Sequence, residues 1–421
     1  MNDRNELDWQ FKGFPTVDEG LTPAAFAASR PGLFDTGFHW PMMVIKRRAL
    51  DHNVATLANY CASRGVDLAP HVKTTMSPKI WRRQLAAGAW GLTVATPNQV
   101  RVLRADGVSR IFLANELVDA NFIEWLADQL ATDDTFDFYC YVDSVDGVDI
   151  LGAATSGRGG RPLRVLVELG HEDGRTGCRT DVDAFAVARA VRQHPSLSLV
   201  GVAGYEGGIG RGRSAATVGA VRAYVRRVRR LLESLDRDEL LDEEVGEHVV
   251  SCGGSLFFDL VADELTGQWE TPCQMRVVLR SGSYVTHDSA MYDVLSPLAS
   301  APLEHRLQPA IEVWCQVLSR PEPTLALLGV GKRDISFDEG LPVVLATRPR
   351  GGQAVQPQTG FVVTQLNDQH AFVSVSRDAS LAVGDLVCLG VSHPCTVHDK
   401  WQLVPLVDDE YRVVDTIRSY F

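Results

Sequence analysis

The ten residues SHPCTVHDKW, 392 to 401, place two histidines, a cysteine, an aspartate and a lysine close to the C-terminus. In an extended segment His393 and Cys395 share one face, because side chains alternate with a period of two, and together they can grip one cation. A thiolate with an imidazole favours Zn2+ over Mg2+ or Mn2+. Two protein ligands also leave coordination positions open for water or a substrate. Single Cys and His residues are common in β-rich segments, so the spacing alone is more often incidental than metal-binding.

A second reactive group is Lys73 in LAPHVKTTMSP, residues 68 to 78, where an apolar run ends in His71 and Lys73 before a Ser-Pro helix start. At the C-terminal mouth of a parallel strand, an amine held in a partly dry site can be deprotonated near neutral pH and form a Schiff base. On position alone, a surface lysine just past a strand is the commoner case. Two glycine-rich turns add weight. VVSCGGSLFFD sets Gly253, Gly254 and Ser255 between a strand and a helix, where backbone N–H groups can cradle a phosphate. LRSGSYVTHD offers Gly282, Ser283 and Tyr284 at the next strand end. Either turn could need its glycines simply to turn. GYEGGIGRGR lacks the G-x-G-x-x-G spacing and the later acidic partner of a dinucleotide site.

The elements that must position these groups follow a rhythm. From residue 42, short apolar runs alternate with segments of helical period, from MMVIKR, VDLAPHVK and GLTVAT through to EHVVSCGG and MRVVLRSGS. Such alternation implies parallel strands with crossover helices. It yields nine strands where a closed (β/α)8 barrel needs eight, and MMVIKR is the one to remove. A doubly wound open sheet is the competing architecture. After about residue 295, IEVWCQVLSRP, TLALLGVG, LPVVLAT and their successors are short β-rich runs without long helices, which predicts a second, all-β domain.

With 45% apolar and 22% charged residues, the 421-residue chain has the composition of a folded soluble protein. Its net charge of −12 opposes nucleic acid and anionic membrane as partners. The polar N-terminus has no signal-peptide core, and no stretch of eighteen apolar residues could span a bilayer, so a cytoplasmic location is expected. Eight cysteines without framework spacing suggest buried thiols in a reducing compartment, Cys395 excepted. Arg222, Arg226, Arg229 and Arg230 recur at helical spacing opposite Val221, Tyr224, Val225, Val228 and Leu232, which predicts an amphipathic barrel helix with a solvated basic face.

In order and relative spacing, PHVKTTMSP, GLTVATPNQ, GHEDGRTG, GYEGG, SCGGS, LRSGSYV, GVGKRDISFDEGLP and HPCTVHDKW resemble the motifs of the alanine-racemase-like, fold-type III pyridoxal phosphate (PLP) enzymes. Within these the chain resembles the branch of D-serine dehydratases (D-amino acid deaminases) and D-threonine aldolases. The resemblance implies a TIM-like (β/α)8 barrel over 41–295, a C-terminal all-β domain over 296–421 that takes the first strand, and a segment 1–40 packing on that β-domain. It makes Lys73 the lysine that holds PLP, with His71, Arg175, Thr176 and Tyr205 around the cofactor. Gly253, Gly254, Ser255, Gly282, Ser283 and Tyr284 would line its phosphate end. Many members read KTHK where this chain has Thr74, Thr75 and Met76, so any role of that histidine is absent or moved.

The dehydratases of this branch carry zinc at the matching HPC…DKW motif, whereas the aldolases tend to have aspartate at the cysteine position and use Mn2+ or Mg2+. Cys395 therefore implies a zinc-dependent dehydratase that turns D-serine or a related β-hydroxy D-amino acid into a 2-keto acid and ammonia. The alternative is retro-aldol cleavage to glycine and an aldehyde. A racemase would need a second acid/base and no metal, and non-catalytic PLP-binding relatives lack the β-domain. His398, Asp399 and Lys400 either support the metal ligands or are structural. A homodimer acting on a small-molecule D-amino acid is expected by the same analogy.

Overall fold

The structure is a computed structural model that describes residues 6–15, 20–35, 37–352 and 354–421. Of the expected N-terminal segment 1–40, residues 1–5, 16–19 and 36 lie outside the described residues. The chain divides into two compact units, one of Leu57–Lys73 and Arg83–Gly282, the other of Met1–Thr56, Thr74–Arg82 and Ser283–Phe421. The barrel unit thus ends at Gly282 rather than near 295. The last barrel strand finishes at Leu279, and the residues after it are a 3-10 turn and short helices.

The first strand, β1 (Met42–Lys46), stands apart from the eight that follow. These are β2 (Asp67–Leu68), β3 (Leu92–Val94), β4 (Arg110–Glu116), β5 (Asp137–Val142), β6 (Leu163–Leu169), β7 (Leu197–Gly204), β8 (His248–Ser251) and β9 (Met275–Leu279). From β3 to β9 each pairs in parallel with the next in sequence, and β9 pairs with β2. The ends of that order are joined by a parallel bridge between His71 and Thr93 and by Thr93 N–H donating to Pro70 O at 2.9 Å. Sequential order with closure defines a (β/α)8 barrel and excludes the doubly wound sheet.

The strands read as continuous apolar runs because both faces are covered, one by helices and one by the barrel interior. Ala69, Phe112, Tyr139, Tyr141, Leu166, Val200, Ala203, Val249 and Val278 fill that interior. The crossover helices start where side chains cap them: Thr96, Ser144 and Ser214 each accept a backbone N–H, and Thr180 with Asp183 forms a capping box. In the helix Ala215–Arg237, Val221, Tyr224, Val225, Val228 and Leu232 are buried as expected. Its arginines are not merely solvated, however. Arg222 and Arg226 pair with Glu264 and Arg229 with Glu233, while Arg230 is exposed, so most of the basic face is neutralised within the unit.

In the other unit, Met42, Met43, Val44 and Ile45 are all 0% exposed. Four consecutive buried residues need neighbours on both sides. β1 finds them antiparallel to Ile311–Glu322 (Met42 opposite Trp314) and parallel to Leu403–Val407, inside a ten-stranded sheet. The removal of MMVIKR from the barrel is therefore physical. The N-terminal residues cover this sheet: Leu33 N–H donates to Tyr411 O at 2.9 Å, Phe34 packs edge-on to Trp314, and Lys12 pairs with Asp334 at 2.8 Å. Cys61, Cys140, Cys178, Cys252, Cys315 and Cys388 are buried, whereas Cys273 and Cys395 are half-buried. Among the described residues no helix is long and apolar enough to cross a membrane.

Gly201 shows how closely the barrel strands approach. A Cβ there would lie 1.8 Å from the carbonyl oxygen of Val249 on the next strand. Gly201→Ala should cost about 1–3 kcal/mol of stability, read as a lower urea midpoint, and an unchanged midpoint would contradict this packing.

Candidate active site

Each unit carries part of the residues singled out by sequence. In the barrel unit, β2 delivers His71 and Lys73 to the C-terminal mouth, in step with Ala69 of the interior. Burial lowers the pKa of His71 well below its usual value, and the charges of Lys73, Arg280 and Arg175 lower it further, so the imidazole is neutral. Its Nδ1 is buried without a hydrogen-bond partner. Arg175 lies over the Tyr205 ring, 4.4 Å from its centroid, while Thr176 is exposed beside it. A cavity of about 100 Å3 is lined by Glu168, His171, Arg175, Thr176, Tyr205 and Gly208. Three cations converging on a neutral histidine, with an orphaned polar atom among them, suit an anionic, ring-bearing ligand.

The SCGGS turn departs from expectation. The N–H groups of Gly253 and Gly254 donate to the carboxylate of Glu206 at 3.0 and 2.7 Å, so an acid of this chain holds the donors that a phosphate was expected to take. Glu206 is 0% exposed, and burial raises its pKa against these hydrogen bonds and the nearby charge of Arg280. Gly254 has a second duty, since a Cβ there would come within 3.2 Å of the Tyr205 ring. Ser255 follows in the same turn, and Gly282 closes the unit. Ser283 and Tyr284 fall in the other unit, both buried in a 3-10 turn.

That other unit brings His393 and Cys395 together, although not as a simple extended pair. His393 is extended, but Cys395 sits in the 3-10 turn Pro394–Thr396. Their side chains nevertheless lie near enough for Cys395 to raise the pKa of the imidazole. His393 Nδ1 meets Asp338 Oδ2 at 2.6 Å, and the other Asp338 oxygen accepts from Thr396 Oγ1 at 2.6 Å. An Nδ1–H held by a carboxylate leaves Nε2 as the nitrogen for a cation, the arrangement that orients metal-bound histidines. Thr74, the residue after Lys73 in the chain, lies with its hydroxyl 3.2 Å from Cys395 Sγ. Sulfur, imidazole nitrogen and a supporting carboxylate fit zinc.

Sequence reasoning missed Asp338, Glu206 and Arg280. Each stood inside a quoted motif, SFDEG, GYEGG and LRSGS, yet nothing in the spacing marked its partner. Arg280 is buried and donates to Ser251 Oγ and, at 2.8 Å, to Gly204 O, tying three strand ends together. Asp399 is exposed and Lys400 lies 3.6 Å from it, while His398 is buried with neither ring nitrogen partnered among the described residues.

A parallel barrel with a lysine at its mouth, followed by a β-unit bearing an imidazole–thiol pair, defines a class of PLP enzyme. The family model "Alanine racemase, N-terminal domain" matches residues 45–259, and "Putative serine dehydratase domain" matches 310–407. The chain belongs to the alanine-racemase-like, fold-type III PLP enzymes. It is 24% identical to a 3-hydroxy-D-aspartate aldolase of Paracoccus denitrificans (strain Pd 1222), over 88% of this chain and 89% of the other. It is 25% identical to a D-threo-3-hydroxyaspartate dehydratase of Delftia sp. (strain HT23), over 81% and 85%. That dehydratase is also similar in its solved structure (20% identity, TM-score 0.73, covering 91% and 97%), and a cysteine-to-alanine mutant of it has been solved in the metal-free form. The D-threonine aldolase of Filomicrobium marinum superposes with a TM-score of 0.75 at 24% identity, covering 90% of this chain and 94% of that one.

Burial alone would lower the pKa of His393, but hydrogen bonds and charge from Cys395 and Asp338 carry it up to about 9. A folded-state pKa above the unfolded value adds stability that is complete below about pH 6.5 and is lost as pH rises through 9. Urea midpoints of metal-free protein should fall across that window. Asp338→Asn should flatten the fall and weaken metal binding by roughly 10 to 100-fold. A flat wild-type profile would remove the coupling.

Proposed function

We propose that the chain is a PLP- and zinc-dependent lyase that dehydrates a β-hydroxy D-amino acid to a 2-keto acid and ammonia. The observation that carries the reading is Cys395 beside His393, with Asp338 fixing the imidazole. A D-threo-3-hydroxyaspartate dehydratase whose cysteine-to-alanine mutant was solved in the metal-free form supports a metal in a relative of this chain. D-serine, D-threonine and 3-hydroxy-D-aspartate share the β-hydroxyl, and the names of the relatives point toward the last two.

Lys73 would anchor PLP, which when bound serves as an electron sink for the substrate α-carbon. As a free amine after substrate binds, Lys73 takes the Cα proton at Nζ. His71, kept neutral by burial and its cationic neighbours, stays uncharged beside that amine. Arg175 and Arg280 offer positive charge to anionic groups, and Arg175 lies over the Tyr205 ring. His393 Nε2 and Cys395 Sγ would hold zinc, a Lewis acid for the departing hydroxyl. Asp338 keeps Nδ1 protonated, so that a metal would take the place of the second proton, at Nε2.

The aldolase is the second reading, favoured by the two aldolases among these relatives. Which bond breaks depends on which one stands perpendicular to the cofactor plane. The family analogy also points to a homodimer.

A panel of D- and L-β-hydroxy amino acids, assayed for keto acid against aldehyde, tests the reading. Purified protein with PLP should be yellow, and Lys73→Ala should lose both colour and turnover. D-isomers should yield keto acid that a chelator suppresses and zinc restores. Cys395→Asp should lower elimination by well over tenfold, given the 10 to 100-fold typical even of groups outside the ligand set. Glycine plus aldehyde without keto acid would move the assignment to the aldolase, and chelator-insensitive turnover in Cys395→Asp would refute the metal role.

A further inference from the structure

Three carboxylates meet inside the barrel on neighbouring strands: Glu116 at the end of β4, Asp143 just after β5 and Glu168 near the end of β6. They continue the inward faces of Phe112, Tyr141 and Leu166. One oxygen of each lies within 4.8 Å of the others. Asp143 Oδ2 accepts the Gly177 N–H at 2.9 Å. Among the described residues, both oxygens of Glu116 and Oε2 of Glu168 are shut away from solvent with no hydrogen-bond partner. Glu168 is 4% exposed, so this oxygen has no water to turn to. Tyr141, 2% exposed and on the same inner face as Asp143, also leaves its hydroxyl unpartnered.

Adjacent carboxylates in so dry a place cannot all remain ionised alone. Burial, then a hydrogen bond with Glu168 and the charges of Glu168 and Asp143, push the Glu116 pKa up to about 9. A proton shared between Glu116 and Glu168 would satisfy one oxygen of each. It would leave the second Glu116 oxygen and the Tyr141 hydroxyl as they are, whereas a metal ion can draw on carboxylates from all three strands at once.

We propose that Glu116, Asp143 and Glu168 form a binding site for a hard divalent cation, calcium by size, made of ligands other than His393 and Cys395. All-oxygen donors select Ca2+, Mg2+ or Mn2+ over zinc. A point amid three atoms so spaced lies about 2.8 Å or less from each, near the 2.3–2.6 Å of calcium–oxygen bonds and long for the 2.0–2.1 Å of magnesium. The inference does not depend on which reaction the enzyme performs.

Full-length protein stripped of metal is titrated with calcium chloride, as wild type and as Cys395→Ala, by calorimetry and thermal unfolding. The site predicts one equivalent of calcium in both, with a Tm that climbs with each decade of free ion. Magnesium should bind at least tenfold more weakly, and Glu116→Gln and Asp143→Asn should each weaken calcium at least tenfold. No calcium-dependent rise in wild type would overturn the proposal without any variant having to fold. So would a rise that Glu116→Gln leaves intact. A wild type indifferent to calcium, with Glu116→Gln more stable in calcium-free buffer, would identify a shared proton in place of the ion.

Discussion

The pleat of a closed parallel barrel decides which side chains of this chain can do chemistry. Alternate residues of each strand point inward, and beyond the apolar layer of Ala69, Phe112, Tyr141, Leu166, Val249 and Val278 the next inward positions lie at the mouth. Those positions hold His71 and Lys73 on β2 and its extension, Glu116 on β4, Asp143 after β5, Glu168 on β6, Ser251 on β8 and Arg280 after β9. A slip of one residue in any strand would turn its functional group into the helix layer. The apolar layer below is what makes such a slip expensive, so core packing and site geometry rest on the same register.

Both signs of charge meet at that mouth. Lys73, Arg175 and Arg280 act on His71, and the acids gather at the ends of β4, β5 and β6. Low dielectric amplifies both groups, which is why His71 is kept neutral and Glu116 is pushed toward protonation. Glu206 belongs to neither. Its carboxylate is spent on the Gly253 and Gly254 amides, where it orders a turn in which Gly254 also lets the Tyr205 ring lie close.

In the β-unit, two short loops hold the imidazole–thiol pair. The loop after Leu386–Gly390 supplies His393 and Cys395, and the 331–338 loop supplies Asp338 and Ser336, whose hydroxyl accepts the His393 N–H at 3.2 Å. Trp401 pins the second loop by donating to Asp334 O at 2.9 Å, and Lys12 covers the Trp401 ring at 3.8 Å. The tryptophan of the HPCTVHDKW motif therefore anchors the loop that carries the acid orienting the histidine, which gives the motif's far end a physical purpose.

The sequence by itself determined the alternation of strands and helices, the β-rich C-terminal part, and the places of Lys73, His393 and Cys395. The alternation and the β-rich part follow from local periodicity, which a linear reading senses, whereas Lys73, His393 and Cys395 became candidates through the order and spacing of motifs that resemble a known family. It could not count the barrel unaided, because β1 and the barrel strands are equally apolar. Only pairing with Ile311–Glu322 and Leu403–Val407 distinguishes it. Tertiary structure alone brought Asp338 to His393, Glu206 to Gly253 and Gly254, and Glu116, Asp143 and Glu168 to one another. Carboxylates are common in any sequence, and what makes these few matter is a partner dozens of residues away, reached only after the barrel closes and the loops settle.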